Sequence, residues 1–305
     1  MKAIKLMRYK TACLYLLIML VAISSCGGQK KEVNRFSIKK ESISLPPGAI
    51  PIYYKTDSII FVCFKAVLNK SDTVVVIWDT GASRMTIPNL YKNRLNKEDT
   101  IKLKIGSNEM NYKDVVRFSD VFNSRLVARK TRKNILFTGW NLFKNKIVEV
   151  SYKDRYIRIL ENTNGLASYD RIPFKIKNND LEISLSVTIQ GKVFQIKRAT
   201  IDTGFNNTFI SDNRVLHGLN TKKSLSFQGF LGPDKDTISG NMLLADKIKA
   251  GNVSVDSLMI CITKMGELRF GNWTVTNLLG NGFLENFSVV FDFINHNLYL
   301  KPLEN

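Results

Sequence analysis

Val74-Val75-Val76-Ile77-Trp78-Asp79-Thr80-Gly81-Ala82-Ser83 is an apolar, β-branched run that breaks at an Asp-Thr-Gly. A second stretch, Arg198-Ala199-Thr200-Ile201-Asp202-Thr203-Gly204-Phe205-Asn206, repeats its outline 123 residues later. A carboxylate carried to the end of a buried strand is costly unless it is hydrogen-bonded or paired. Two of them in matching frames imply that they meet. One Asp-Thr-Gly alone reads equally well as a turn, with Asp bonding its own backbone and Gly at positive φ. The weight therefore falls on the repetition.

The surroundings of the two stretches repeat as well. Each follows a β-rich run and a turn: Ile59–Leu68 with Asn69-Lys70-Ser71-Asp72 in the first half, Ile183–Ile189 with Gln190-Gly191-Lys192 in the second. Each is followed by a short apolar segment, Met85-Thr86-Ile87 stopped by Pro88, and Phe209-Ile210-Ser211. Alternating residues at Ile101–Ile105 predict a half-exposed strand turned by Gly106-Ser107-Asn108, with Val115–Phe118 as its partner. In the second half, Ile248–Asn252 and Leu258–Ile262 hold the corresponding places. Asn134–Phe143 and Asn277–Leu284 are apolar runs that reach a glycine and enter a short helix. Strand pairs at 147–160 and 289–300 close the two halves, and Asn162-Thr163-Asn164-Gly165 marks the boundary between them. Tandem β units explain this order most economically. The halves differ at Leu225–Asn241, a glycine-punctuated hairpin that reads either as a cover over a cleft or as a surface loop.

The N-terminus belongs to targeting. Lys2, Lys5, Arg8 and Lys10 precede an apolar stretch, Ala12–Ile23, too short for an ordinary membrane span. It ends Ile23-Ser24-Ser25-Cys26-Gly27, which resembles the lipobox of bacterial lipoproteins, where the cysteine is lipidated and becomes the first mature residue. A plain secretory peptide or a signal anchor is the alternative. Residues 1–25 are thus read as a signal peptide, 26–47 as the lipidated Cys26 and a lysine-rich tether or first edge strand, 48–163 as one lobe and 164–305 as another. The anchor implies the bacterial cell envelope, the outer membrane ahead of the inner, with membrane contact through the lipid.

Of four cysteines, Cys63 and Cys261 remain in the body, as a disulfide or as buried thiols. With only His217 and His296 beside them, a zinc site or a His-activated nucleophile is hard to build. The net charge of +19 includes four basic and no acidic residues in 1–25, so it falls to about +15 without them. The basic residues are scattered, which suits a solvated surface and adhesion to anionic membrane rather than a nucleic-acid module.

The paired motifs resemble those of the retropepsin-like and pepsin-like aspartic peptidases, in particular a small retropepsin-like form in bacterial lipoproteins. The resemblance covers roughly residues 55–303. It pairs Asp79-Thr80-Gly81-Ala82-Ser83 with Leu136-Phe137-Thr138-Gly139, and Asp202-Thr203-Gly204 with Leu278-Leu279-Gly280. It implies an all-β fold of two similar acid-protease-type β-barrel lobes related by an internal pseudo-two-fold, with few short helices. It further implies a single-chain, monomeric endopeptidase that needs no metal or cofactor and takes a peptide or protein substrate. Asp79 and Asp202 become its catalytic dyad, sharing a proton. Thr80 and Thr203 are expected to hydrogen-bond across the seam, and Gly81 and Gly204 to let the backbone approach the carboxylates. Phe205, where the family has a small residue, and Thr138, where it has an apolar one, depart from the pattern. A scaffold that kept the motifs as a binding protein without turnover, and a structural envelope lipoprotein, are the competing classes.

Overall fold

The computed structural model of the chain describes residues 44–53, 61–82, 84–95, 100–113, 116–118, 134–212, 218–220, 224–231, 236–263, 269–270, 273–274 and 277–304. The segment read as a signal peptide (1–25), Cys26, Ser83 and His217 lie outside these residues.

The first half opens with β1 (Ile50–Tyr53) and the hairpin of β2 (Cys63–Leu68) and β3 (Asp72–Trp78). β4 (Met85–Ile87) follows the first Asp-Thr-Gly, and β5 (Ile101–Ile105) with β6 (Asn108–Tyr112) forms a second hairpin. After β7 (Val116–Phe118), β8 (Ile135–Thr138) runs to Gly139 and a 3-10 turn, Trp140–Phe143. β9 (Ile147–Ser151) and β10 (Tyr156–Leu160) end this half.

The second half begins with β11 (Asp170–Pro173) and β12 (Lys175–Lys177), then the long hairpin of β13 (Asp180–Ile189) and β14 (Lys192–Asp202). Its two-residue turn, Gln190-Gly191, has both φ values positive (53° and 74°), the twist that joins antiparallel strands without splaying them. β15 (Phe209–Asp212) follows the second motif, and β16 (Leu225–Leu231), β17 (Asp236–Ala250) and β18 (Val253–Thr263) form a meander. The short β19 (Arg269–Phe270) and β20 (Trp273–Thr274) pair with each other. β21 (Asn277–Gly280) leads into a one-turn helix, Asn281–Leu284, and β22 (Phe287–Asp292) and β23 (Asn297–Pro302) finish the chain.

The fold is mostly β, with two large sheets and, among the described residues, a single α-helix. The first sheet runs β11-β23-β22-β9-β10-β1-β2-β3-β8-β4-β7, with β5 and β6 added to β2. Both halves contribute to it, because β22 of the second pairs with β9 of the first (Val289 opposite Val150). The second sheet runs β12-β13-β14-β21-β15-β18-β17-β16, and a further β13–β17 pairing turns part of it into a ring-like circuit.

One pairing corrects the sequence reading. The partner of β5 is β6, immediately after the Gly106-Ser107 turn, while Val116–Phe118 pairs in parallel with β4 instead. Met110 and Tyr112 bury one side of β6 while Glu109 and Asn111 face water, an alternation weak enough in apolar content to escape notice.

A single apolar cluster extends through both halves. Trp78, the residue before Asp79, is fully buried at its centre. Its ring meets Phe143 edge-on at 5.2 Å and Phe291 at 5.3 Å, one aromatic from each half. Such contacts add about 0.5–1.5 kcal/mol each beyond area burial, so the first motif strand rests on a stiff base. Cys63 and Cys261 are free thiols in separate apolar clusters, so the open question of a disulfide is answered by packing.

Candidate active site

The same three-strand arrangement delivers each Asp-Thr-Gly. β3 runs parallel to β8, with Trp78 opposite Thr138, and β8 is flanked on its other side by antiparallel β4. β14 runs parallel to β21, with Asp202 opposite Gly280, and β21 is flanked by antiparallel β15. Parallel central strands buried on both faces favour apolar runs such as Val74–Trp78, and in β14 the residues just before the carboxylate, Ala199–Ile201, are buried. The run ends where the backbone must turn, and the carboxylate is presented there.

The two turns are tied to each other by four buried hydrogen bonds. The Thr80 N–H donates to Thr203 Oγ1 at 3.0 Å, and the Thr203 N–H donates to Thr80 Oγ1 at 3.0 Å. Each hydroxyl then donates onward, Thr80 Oγ1 to the Ile201 carbonyl at 2.7 Å and Thr203 Oγ1 to the Trp78 carbonyl at 2.8 Å. Both threonines are fully buried, and every group in the set has a partner, as burial demands.

Asp79 and Asp202 lie at this seam, each carboxyl set against the glycine of the other motif. The glycines explain how they come so close. A Cβ on Gly81 would stand 2.7–2.9 Å from the carboxyl atoms of Asp202, and one on Gly204 would press likewise into the Asp79 carboxyl. Each glycine thus makes room for the other motif's carboxylate. Gly139 and Gly280 serve the layer behind: a Cβ at Gly139 would collide with the Ala82 carbonyl, and one at Gly280 with the Phe205 and Asn207 carbonyls. Ala82 closes its turn by donating from N–H to the Asp79 carbonyl at 3.0 Å, as Phe205 does to Asp202 at 3.1 Å.

The environment of the pair is asymmetric. Burial raises the pKa of Asp79, the negative charge of Asp202 raises it further, and their mutual hydrogen bond adds to this. Burial also raises Asp202, but the hydrogen bond with Asp79 and backbone N–H groups of Gly204, Phe205 and Gly81 work against it. Backbone N–H groups of Gly81 and Ala82 do the same for Asp79. Two carboxyls this close cannot both ionise readily, so the pair titrates as a unit and holds a proton between its members.

The two departures from the motif are resolved by packing. Thr138 is fully buried, its carbonyl accepts the Asp79 N–H at 2.9 Å, and its Oγ1 lies 3.4 Å from the Ile77 carbonyl. The Phe205 ring packs on the cluster of Ile210, Ile238, Cys261 and Leu278, with Cδ1 against Gly280. The hairpin of β16 and β17 reaches the same cluster through Phe227 and Met242. Residues 232–235 at its turn lie outside the described residues.

Two residues at the site have no counterpart in the sequence reading. Asn281 is fully buried and donates from Nδ2 to the Thr203 carbonyl at 2.8 Å, and Tyr152 donates from its hydroxyl to Asn281 Oδ1 at 2.8 Å. The available signal for Asn281 was a polar residue directly after an apolar-Gly run; Tyr152 carried none. Among the described residues, no group of three or more His, Cys, Asp and Glu side chains is gathered closely enough to hold a metal ion. No helix among them is long and apolar enough to cross a membrane. Neither a protein-family model nor a curated protein matches the chain.

Proposed function

We propose that the chain is an aspartic endopeptidase, anchored in the bacterial cell envelope by lipid on Cys26, that hydrolyses peptide bonds with the Asp79–Asp202 pair. The observation that carries this reading is the meeting of the two carboxyls, each against the other motif's glycine, across a seam closed by reciprocal threonines. The proposal includes two acid-protease-type β-barrel lobes related by a pseudo-two-fold, supported by the recurrence of β3-β8-β4 as β14-β21-β15.

In this mechanism Asp202, the ionised member, takes a proton from a water held between the carboxyls. The activated oxygen attacks the scissile carbonyl carbon while Asp79 donates its proton to the carbonyl oxygen. The product of this step is a neutral tetrahedral diol, with no covalent bond to the enzyme. Asp202, now protonated, gives its proton to the leaving nitrogen as the C–N bond breaks, and a diol hydroxyl returns a proton to Asp79. The pair ends in its starting state.

A scaffold without turnover was the competing reading, and Phe205 was its motive. Packing of that ring on Ile210, Ile238, Cys261 and Leu278 supports the peptidase instead. The test is cleavage of a mixed peptide library by the wild type, Asp79→Asn and Asp202→Asn at acidic and neutral pH. Both variants are expected to lose all activity; wild-type turnover in either would exclude the shared-proton mechanism.

A further inference from the structure

The peptide unit between Thr203 and Gly204 is bonded at both ends. Its carbonyl accepts the Asn281 amide at 2.8 Å, and its N–H donates to Asp202 Oδ1 at 2.8 Å. A hydrogen bond to a carbonyl shifts electron density across the same peptide and makes its N–H a stronger donor, an effect that grows where the dielectric is low. It also fixes the peptide plane, and with it the direction in which that N–H points. Asn281 has no freedom to drift: its own N–H donates to the Phe205 carbonyl at 2.8 Å, and Tyr152 donates to its Oδ1 at 2.8 Å.

We propose that Asn281, oriented by Tyr152, is a positioning residue for Asp202: it aligns and polarises the peptide whose N–H holds that carboxylate, and so stabilises negative charge on Asp202. The inference rests on the reading of the two aspartates as a working pair. At the corresponding position the first half has a different residue. There Trp140 follows Gly139, and its indole Nε1 donates away from the motif, to the Asn179 carbonyl at 2.8 Å.

The titratable group that faces Asp202 across the seam is Asp79, and the one that faces Tyr152 is Glu285, from the turn after the Asn281–Leu284 helix. Tyr152 stays neutral throughout the working range, because burial first and then Glu285 hold its hydroxyl proton in place. It is a constant donor, so the titration that responds to Asn281 is that of the carboxyl pair.

The experiment reads the carboxyls directly and needs no substrate. The protein is labelled at aspartate Cγ with carbon-13 and titrated by NMR as wild type, Asn281→Leu, Tyr152→Phe and the double variant, and each again with Asp79→Asn so that Asp202 titrates alone. Asn281→Leu is expected to raise the pH of Asp202 ionisation by about 0.5–1 unit. Tyr152→Phe should raise it by less, and the double variant by no more than Asn281→Leu. A residue that only braces the fold leaves this titration where it is. Unchanged Asp202 titration in both single variants would overturn the proposal, and if Asn281→Leu does not fold, Tyr152→Phe decides alone. Failure of the pair itself looks different: Asp79 and Asp202 would titrate independently in the wild type, with any Asn281-dependent shift still visible in the Asp79→Asn series.

Discussion

Replacing Thr80 by Val probes how firmly the seam is held. The change conserves volume, so it creates no large cavity, but it removes a hydroxyl that is a donor at 2.7 Å to the Ile201 carbonyl and an acceptor at 3.0 Å from the Thr203 N–H. Both partners are then buried without a bond. An orphaned buried polar group costs about 1–3 kcal/mol, so Thr80→Val should lose about 2–4 kcal/mol. That is a large share of a total stability of about 5–15 kcal/mol. For a chain of this size the melting temperature falls by about 2–4 °C per kcal/mol, giving a loss of roughly 5–15 °C by scanning calorimetry. Thr80→Ser is the control, because it keeps the hydroxyl and loses one buried methyl, about 1 kcal/mol. Thr203→Val should behave like Thr80→Val. The double variant should lose less than the sum, since the second substitution acts on a seam already loosened. A Thr80→Val protein that melts together with Thr80→Ser would refute the reasoning.

Two further outcomes follow from the buried acids and thiols. Burial and the Asp202 charge raise the Asp79 pKa in the folded state, so the native protein holds a proton that the unfolded chain releases near pH 4. That contribution to stability is complete below the unfolded pKa and is lost as the pH rises through the folded one. Asp79→Asn, which mimics the neutral form, should therefore raise the melting temperature at pH 7 and lose its advantage toward pH 4; a variant less stable than the wild type at pH 7 would contradict this. The Cys63 thiol is pushed well up by burial, and that of Cys261 up to about 11, also by burial. Neither should react with iodoacetamide in the native protein at pH 8, as mapped by peptide mass spectrometry, and both should react once the chain is unfolded.

Much of the strand framework was legible because β-branched runs, alternation and turn residues agree with one another. Val74–Trp78 and Ile183–Ile201 declare themselves through composition. Asp170–Pro173 and Lys175–Lys177 did not, since about half of their residues face water; the first also pairs far along the chain, with β23, whereas the second pairs with the adjacent β13. The same holds for β22 beside β9, a pairing that no local pattern encodes. At the site, the aspartates, threonines and glycines were readable because a repeated motif outweighs a single one. That Gly81 clears space for Asp202, and Gly204 for Asp79, was not readable, for it depends on how the two turns are set against each other. Asn281 and Tyr152 were hidden for a similar reason: their bond joins positions 129 residues apart.

The pairing of β22 with β9 also bears on when the site comes into being. During synthesis the first Asp-Thr-Gly emerges early, but its threonine waits for a partner 123 residues downstream. Strand β9 stays an open edge until residues 287–292 arrive to cover it. Contacts of such long range close late, because chain entropy must be lost before they return any stabilisation. A nascent or clipped chain therefore carries two separate, ordinary carboxylates, each free to ionise in water. The fold acts as a timer: the two carboxyls meet only once strands from both halves of the sequence have locked side by side.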